Sequence, residues 1–285
     1  MKKINTGLLI LICIIGAARV AVAEKGAAPV ELKFGRELLE KTPTVEVVVN
    51  GKTRRFYFDS GGGVSAVSPE IAKEIGCTPL GGPAAFNAGG MKFTVKRCED
   101  VEIKLGAFTV KRDFAVFDPM PFFPNAKGKI DGGLALDVFD NRAITIDLVG
   151  DRLWIENEKS LKKKIRDMKP LAARLSRGVA GSSLDVFVAA QTPRGKIWLL
   201  LDTGNTNKLL LTPSAQAQLG IDFNGANAEK IIKPVKLNII GLGEIEADGR
   251  EREMIYDGML SYEVISRLIF TVDFRTGKMW AKLRN

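Results

Sequence analysis

Two short segments of the chain carry an aspartate, a hydroxyl residue and a glycine directly after an apolar stretch. They read Asp-Ser-Gly at 59–61 and Asp-Thr-Gly at 202–204. An acid at the end of an apolar strand is carried toward the interior, and the glycine lets the backbone turn sharply with its N–H aimed at the carboxylate. One such tripeptide is more often an ordinary turn than a site. The evidence for a catalytic site is therefore that the chain contains two such tripeptides.

A pair of buried carboxylates suits acid–base hydrolysis. Two carboxyl groups about 3 Å apart cannot both ionise, so one stays protonated while the other is charged. The charged group can activate a water molecule while the protonated one donates to the substrate carbonyl. The sequence predicts that Asp59 and Asp202 form this pair. The residues expected to support the two loops are Ser60, Gly61, Thr203, Gly204 and Asn205.

The chain contains no histidine. This absence excludes a Ser-His-Asp triad, a Cys-His pair and a histidine-ligated metal, which are the usual centres of three large enzyme classes. Carboxylate chemistry is the main mechanism left. The formal net charge is +9, but no Lys/Arg block is interleaved with aromatic residues, so we expect no nucleic-acid partner.

The sequence repeats itself around both aspartates. Each Asp-Ser/Thr-Gly segment follows a predicted hairpin and precedes a short predicted helix with Ser or Thr at its N-cap, proline at its first position and glycine at its end. A second repeat aligns residues 130–155 with 256–281 without a gap. Its matched positions are Asp131 and Asp257, Gly132 and Gly258, Leu134 and Leu260, Asp137 and Glu263, Asp147 and Asp273, and Trp154 and Trp280.

Strand-rich segments with short helices between them indicate a mainly β, two-lobed architecture with a cleft between homologous β-barrel-like lobes. We place the first lobe at 24–157 and the second at 179–285. Residues 158–178, which are rich in Lys and Arg, are predicted to form a basic linker or a surface helix.

The first 23 residues have the pattern of a signal peptide: a basic start, an apolar run and an Ala-Val-Ala cleavage site at 21–23. A lipid anchor at Cys13 is disfavoured by Ile12, and an uncleaved membrane anchor is disfavoured by Arg19. We therefore expect a periplasmic or secreted protein with no stable membrane span after signal removal. Cys77 and Cys98 would lie in an oxidising compartment, where a disulfide is permitted but not required.

The segments FDSGGGVSAVS and LDTGNTNKLLLT resemble the active-site loops of retropepsin-like and pepsin-like aspartic peptidases. DGGLALDVF and DGMLSYEVI resemble the psi-loop motif of that family. The resemblance implies two β-barrel-like lobes, catalytic roles for Asp59 and Asp202, and no metal or organic cofactor. It is strongest to the bacterial single-chain retropepsin-like proteins.

Three positions depart from the family pattern. The psi-loop has Ala135 and Ser261 where glycine is usual, and both are small enough for the chain to pass beneath the catalytic loop. Gly62 and Asn205 follow the two tripeptides, and we expect the Asn205 side chain alone to hydrogen-bond its carboxylate. The candidate flap at 86–93 has no tyrosine but carries Gly89 and Gly90, as a retropepsin flap does; it could also be a plain surface hairpin.

The expected partner is a peptide or protein substrate bound in extended form by a monomer. The main alternative is a non-catalytic, exported peptide-binding module on the same fold. A glycoside hydrolase is disfavoured because its two carboxylates stand about 5 Å or more apart. A carrier of small apolar ligands leaves the paired loops unexplained.

Overall fold

The computed structural model describes residues 28–82, 84–178, 181–223 and 230–284. The predicted signal peptide, residues 1–23, lies outside this part of the chain. None of the described helices has the length and apolarity needed to cross a membrane.

The structure is mainly β, as the sequence predicts. The strands of the first half are β1 Val30–Lys33, β2 Thr44–Val49, β3 Lys52–Phe58, β4 Ala66–Val67, β5 Ala84–Phe86, β6 Lys92–Thr94, β7 Lys96–Leu105, β8 Phe108–Val116, β9 Gly132–Leu134, β10 Ala143–Asp147 and β11 Arg152–Glu156. Those of the second half are β12 Lys169–Leu171, β13 Ala173–Ser176, β14 Asp185–Thr192, β15 Gly195–Leu201, β16 Leu209–Leu211, β17 Lys233–Ile239, β18 Gly243–Glu251, β19 Gly258–Leu260, β20 Leu268–Asp273 and β21 Lys278–Leu283.

Helices are short and connect the strands. They are α1 Pro69–Glu74, α2 Glu158–Lys164, α3 Pro213–Leu219 and α4 Tyr262–Ile265, with 3-10 turns at Met120–Phe122, Leu136–Phe139 and Ile165–Asp167. The hydroxyls of Ser68 and Thr212 accept hydrogen bonds from the third backbone N–H of α1 and α3, which is the predicted N-cap.

Each half closes into a six-stranded barrel. The first barrel has the order β2-β3-β9-β4-β8-β7 and closes through pairing of β2 with β7. The second has the order β14-β15-β19-β16-β18-β17 and closes through pairing of β14 with β17. In both barrels the strand before the Asp-Ser/Thr-Gly segment lies parallel to the psi-loop strand, β3 to β9 and β15 to β19. The predicted two-barrel fold class is confirmed.

A third sheet joins the lobes in the order β1-β11-β10-β20-β21-β12. At its centre β10 and β20 run antiparallel, with Thr145 opposite Thr271 and their hydroxyl oxygens 2.8 Å apart. These two threonines are equivalent positions of the sequence repeat, so the approximate twofold axis of the molecule passes between them. The shared sheet fixes the lobes against each other and therefore fixes the spacing of the two Asp-Ser/Thr-Gly loops.

The segment at 158–178, which the sequence assigns to a basic linker, is largely ordered secondary structure. It contains α2, a 3-10 turn, β12 in the shared sheet and β13 beside the second barrel. The chain therefore enters the second lobe through paired strands.

A disulfide joins Cys77 to Cys98. It ties the residues that follow α1 to β7 within the first lobe. Cys98 is fully buried in the core of that lobe.

Candidate active site

The two parallel strand pairs deliver Asp59 and Asp202 to the same place between the lobes. Asp59 directly follows β3 and Asp202 directly follows β15. The backbone N–H of Asp59 donates to the carbonyl of Leu134 at the end of β9, at 3.0 Å. The psi-loop strand thus supports the catalytic loop from one side.

The hydroxyl residues after the aspartates brace the opposite loops. The backbone N–H of Ser60 donates to the Thr203 hydroxyl at 2.9 Å, and that of Thr203 donates to the Ser60 hydroxyl at 3.0 Å. The Ser60 hydroxyl in turn donates to the carbonyl of Leu201 at 2.6 Å. Both side chains are fully buried, so these bonds hold the loops together without competition from water.

Backbone N–H groups converge on both carboxyl groups. Gly61 donates to Oδ1 of Asp59 at 2.9 Å, and Gly204 donates to Oδ1 of Asp202 at 2.8 Å. The Gly204 N–H also lies 3.2 Å from Oδ1 of Asp59, across the lobe boundary. The two carboxyl groups are hydrogen-bonded to each other.

The glycines let each loop approach the opposite carboxyl group. A Cβ atom added to Gly61 would lie 2.5 Å from Cγ of Asp202, and one added to Gly204 would lie 2.6 Å from Cγ of Asp59. Carbon atoms in contact are normally about 3.5–4.0 Å apart. A side chain at either position would therefore push the loop and the opposite carboxyl group apart.

Burial raises the pKa of both the Asp59 and the Asp202 carboxyl groups, and their other interactions make the two shifts unequal. For Asp59, the hydrogen bond from Asp202 and the N–H groups of Gly61 and Gly204 oppose the effect of burial. For Asp202, the negative charge of Asp59 adds to burial and holds its pKa well above the ordinary value. The arrangement therefore keeps the shared proton on Asp202 and the charge on Asp59.

The Asn205 side chain does not bind the carboxylate, contrary to the sequence-based expectation. Its Nδ2 donates to the carbonyl of Lys208 at 3.2 Å, and its Oδ1 accepts from the Asn207 N–H at 3.1 Å. The loop turns here, and the amide closes that turn. The backbone N–H of Asn205 instead donates to Oδ1 of Asp202 at 3.0 Å.

The repeated acids of the psi-loop have structural roles. Asp131 accepts from the Arg55 N–H at 3.1 Å and Asp257 from the Trp198 N–H at 2.8 Å. Both therefore join the psi-loop to the strand that precedes Asp59 or Asp202. Below them, Ala135 and Ser261 are buried at the positions where the family usually has glycine.

The candidate flap is the β5–β6 hairpin, which lies outside both barrels. Gly90 has a φ of +80° in its tip, and its N–H donates to the Asn87 carbonyl at 2.9 Å. The carbonyl of Ala88 accepts from the N–H of Ile255 in the second lobe at 3.0 Å. The hairpin tip therefore reaches across to the opposite lobe.

The apolar side chains of Met120, Phe122 and Phe123, in and after a 3-10 turn, lie partly on the surface. Phe122 is 69% exposed. The Phe123 ring packs against Tyr57, with ring centroids 5.0 Å apart. Tyr57 was not expected from the sequence; burial and the charge of Asp59 raise its pKa.

A second group of residues that sequence reasoning missed lies on the other side of the dyad. Phe187, Leu200, Leu210 and Met259 form a small apolar cluster separate from the main core, with Ala88 of the flap, Trp198, Met254 and Tyr256 packed against it. Asp185 begins the strand that carries Phe187.

No cluster of acidic or cysteine side chains suitable for a metal ion occurs among the described residues. The carboxyl groups of Asp59 and Asp202 are instead hydrogen-bonded to each other and to backbone N–H groups. The arrangement is equipped for proton transfer at two coupled carboxyl groups.

Comparisons with known proteins agree with this geometry. A family model described as aspartyl protease matches residues 45–138, which include Asp59, the flap and the first psi-loop. No curated protein sequence matches the chain.

Two solved structures share the fold. Basic 7S globulin from soybean superposes with a TM-score of 0.55 at 11% identity, covering 89% of this chain and 94% of the globulin. Conglutin gamma, a basic 7S globulin from lupine seeds, gives 0.54 at 10% identity, covering 90% and 95%. At these identities the likeness shows the fold alone. The sequence match over residues 45–138 and the double-barrel fold of the whole chain together support a relationship to aspartic peptidases.

Proposed function

We propose that the protein is an aspartic endopeptidase that hydrolyses peptide bonds with a water molecule activated by Asp59 and Asp202. The observation that carries this proposal is the hydrogen-bonded pair of buried carboxyl groups, held by reciprocal Ser60–Thr203 bonds between homologous loops. A peptide-binding module would not need a pair of acids that share a proton in its cleft. Burying two carboxyl groups lowers the stability of the folded protein, and catalysis is the function for which such a buried pair is useful.

The unequal pKa shifts assign the roles. Asp59 takes a proton from the water as the water oxygen bonds to the carbonyl carbon, and Asp202 donates its proton to the carbonyl oxygen. When the tetrahedral intermediate collapses, the C–N bond breaks. The proton held by Asp59 passes to the leaving amine, and Asp202 regains its own from the hydroxyl. Each cycle consumes one water and restores the starting dyad.

The substrate would be a peptide segment in extended form, lying between the dyad and the flap hairpin. Both carboxylates come from one chain, so a monomer suffices. The Cys77–Cys98 disulfide supports a location in an oxidising compartment, periplasmic or secreted, as the predicted signal peptide does.

The test is cleavage of an unfolded protein and a diverse peptide pool by residues 24–285, over a series from acid to neutral pH. The proposal predicts new termini identified by mass spectrometry, and inhibition by a statine peptide that mimics the tetrahedral intermediate. A folded protein that binds the statine peptide but cuts nothing at any pH would favour the non-catalytic binding module instead.

A further inference from the structure

Asp185 lies beside the dyad on the cleft face of the second barrel. In the β14–β15 hairpin Phe187 pairs with Leu200, and this register continued by two residues places Asp185 opposite Asp202. Residues on one face of a strand alternate, so Asp185 shares the face of Phe187, whereas Val186 and Val188 point into the barrel core. A Cβ added to Gly63 would lie 3.5 Å from Oδ1 of Asp185, so the group also borders the Asp59 loop.

An apolar surface leads up to this carboxyl group. Phe187 and Leu200 belong to the separate apolar cluster, and the Phe187 and Tyr256 rings contact each other with centroids 5.1 Å apart. Trp198 and the flap residue Ala88 pack against the same cluster. A peptide side chain that lies on this surface would need an apolar stem, and the end of that side chain would lie near Asp185.

Asp185 has no hydrogen bond or ion pair to its carboxyl group within the described chain, although it is only partly exposed. Its charged and titratable neighbours are Asp59, Asp137 and Tyr256. Two cations on this side of the molecule have other partners. Arg112 pairs with Asp137 at 3.3 Å and donates to the Ser182 carbonyl at 3.1 Å. Arg174, opposite Phe187 on the neighbouring strand β13, lies over the Trp198 ring with its Cζ 3.8 Å from the ring centroid. Burial and the neighbouring acids raise the pKa of Asp185 to about 7. Among the described residues, no cation is paired with the Asp185 carboxyl group.

We propose that Asp185 is a specificity-determining residue that binds the cationic head of a substrate lysine or arginine, whose aliphatic stem lies on the Phe187–Leu200 cluster. Long basic side chains combine an apolar stem with a charged head, which matches this surface. This inference rests on the proposed function, because it treats the bound peptide as a substrate. Recognition of the cationic side chain itself does not require cleavage.

The experiment uses peptide pairs that differ only by lysine or norleucine, scanned through each position around the scissile bond. One set has a reduced, non-cleavable bond for binding at pH 8, where Asp185 is mostly ionised, and the other set is cleavable. Wild type is compared with Asp185→Asn, with the charge-retaining Asp185→Glu, and with Glu102→Gln, which removes an exposed acid on β7 of the first lobe.

At one peptide position, wild type and Glu102→Gln should prefer lysine by about 10- to 100-fold, the usual range for a charge-assisted hydrogen bond. Asp185→Asn should reduce that preference, measured as the lysine-to-norleucine ratio within each variant, to less than about 3-fold, and Asp185→Glu should restore part of it. Lysine preference in binding without cleavage would sustain this inference and refute the peptidase. Cleavage without lysine preference, preference that persists in Asp185→Asn, or no binding at all would overturn the inference.

Discussion

Replacing Gly204 by alanine should separate the two carboxyl groups without unfolding the protein. The new Cβ would lie 2.6 Å from Cγ and Oδ2 of Asp59. Normal carbon contacts of about 3.5–4.0 Å require the Asp202 loop and Asp59 to move apart by about 1 Å. A misplacement of about 1 Å can lower an enzymatic rate about 100-fold. Overpacking of this kind typically costs about 1–3 kcal/mol of stability, which a barrel core of this size can tolerate.

The assay is kcat/KM for a peptide that wild type cleaves, with folding checked by circular dichroism and thermal unfolding. Gly81→Ala is the matched control, because a Cβ at Gly81 would meet nothing within 4 Å. We expect wild-type activity from Gly81→Ala and about a 100-fold loss from Gly204→Ala. A folded Gly204→Ala protein with more than half of the wild-type kcat/KM would refute the claim that the loops are in contact with the opposite carboxyl groups.

Three further predictions concern stability. Ser60→Ala leaves the Leu201 carbonyl and the Thr203 N–H without their partner, so denaturant unfolding should show an unfolding free energy lower by about 2–5 kcal/mol. Thr203→Ser keeps its hydroxyl and should lose less than half as much stability, and equal losses would contradict the bracing role. Reducing the Cys77–Cys98 disulfide, which closes a loop with a sequence separation of 21, should lower the unfolding free energy by about 3 kcal/mol, and an unchanged midpoint in reductant would count against it. The Asp185 pKa of about 7 lies above its ordinary 3.8, so the folded wild type loses stability as pH rises through this window. The unfolding free energy of Asp185→Asn should therefore gain up to roughly 4 kcal/mol relative to wild type between pH 4 and 7, and nothing more above pH 7. A pH-independent difference would show that the group is not buried as described.

The fold could be predicted because local signals recur in both halves of the chain. The Asn50-Gly51 turn has positive φ at both residues, as its sequence predicts for a two-residue hairpin. The N-cap and proline of α1 recur in α3. A duplicated pattern also implies an approximate twofold axis. The antiparallel pairing of β10 with β20 places that axis between Thr145 and Thr271.

The remaining features depend on long-range packing. Asn205 is three residues from Asp202, and its sequence position does not reveal that its amide closes the local turn instead of reaching the carboxyl group. The linker at 158–178 has a basic composition, yet β12 pairs with β21, more than 100 residues away in sequence. Asp185 could have been found by counting back from the hairpin turn at 193–194, because the strand register places it opposite Asp202. No local sequence pattern indicates that the Asp185 carboxyl group would lack a hydrogen-bond or ion-pair partner among the described residues.

The most direct test of the central claim is cleavage of one reporter peptide by equal amounts of folded wild type, Asp59→Asn and Asp202→Asn. Exposed Asp118, in the loop after β8, gives the matched control Asp118→Asn. Our account predicts that wild type and Asp118→Asn cleave the peptide at equal rates. Each dyad substitution should reduce the rate by at least about 1000-fold, because one carboxyl group alone cannot take the proton from the water and protonate the carbonyl oxygen in the same step. Substantial cleavage by either dyad variant, or none by the wild type at any pH, would contradict the account.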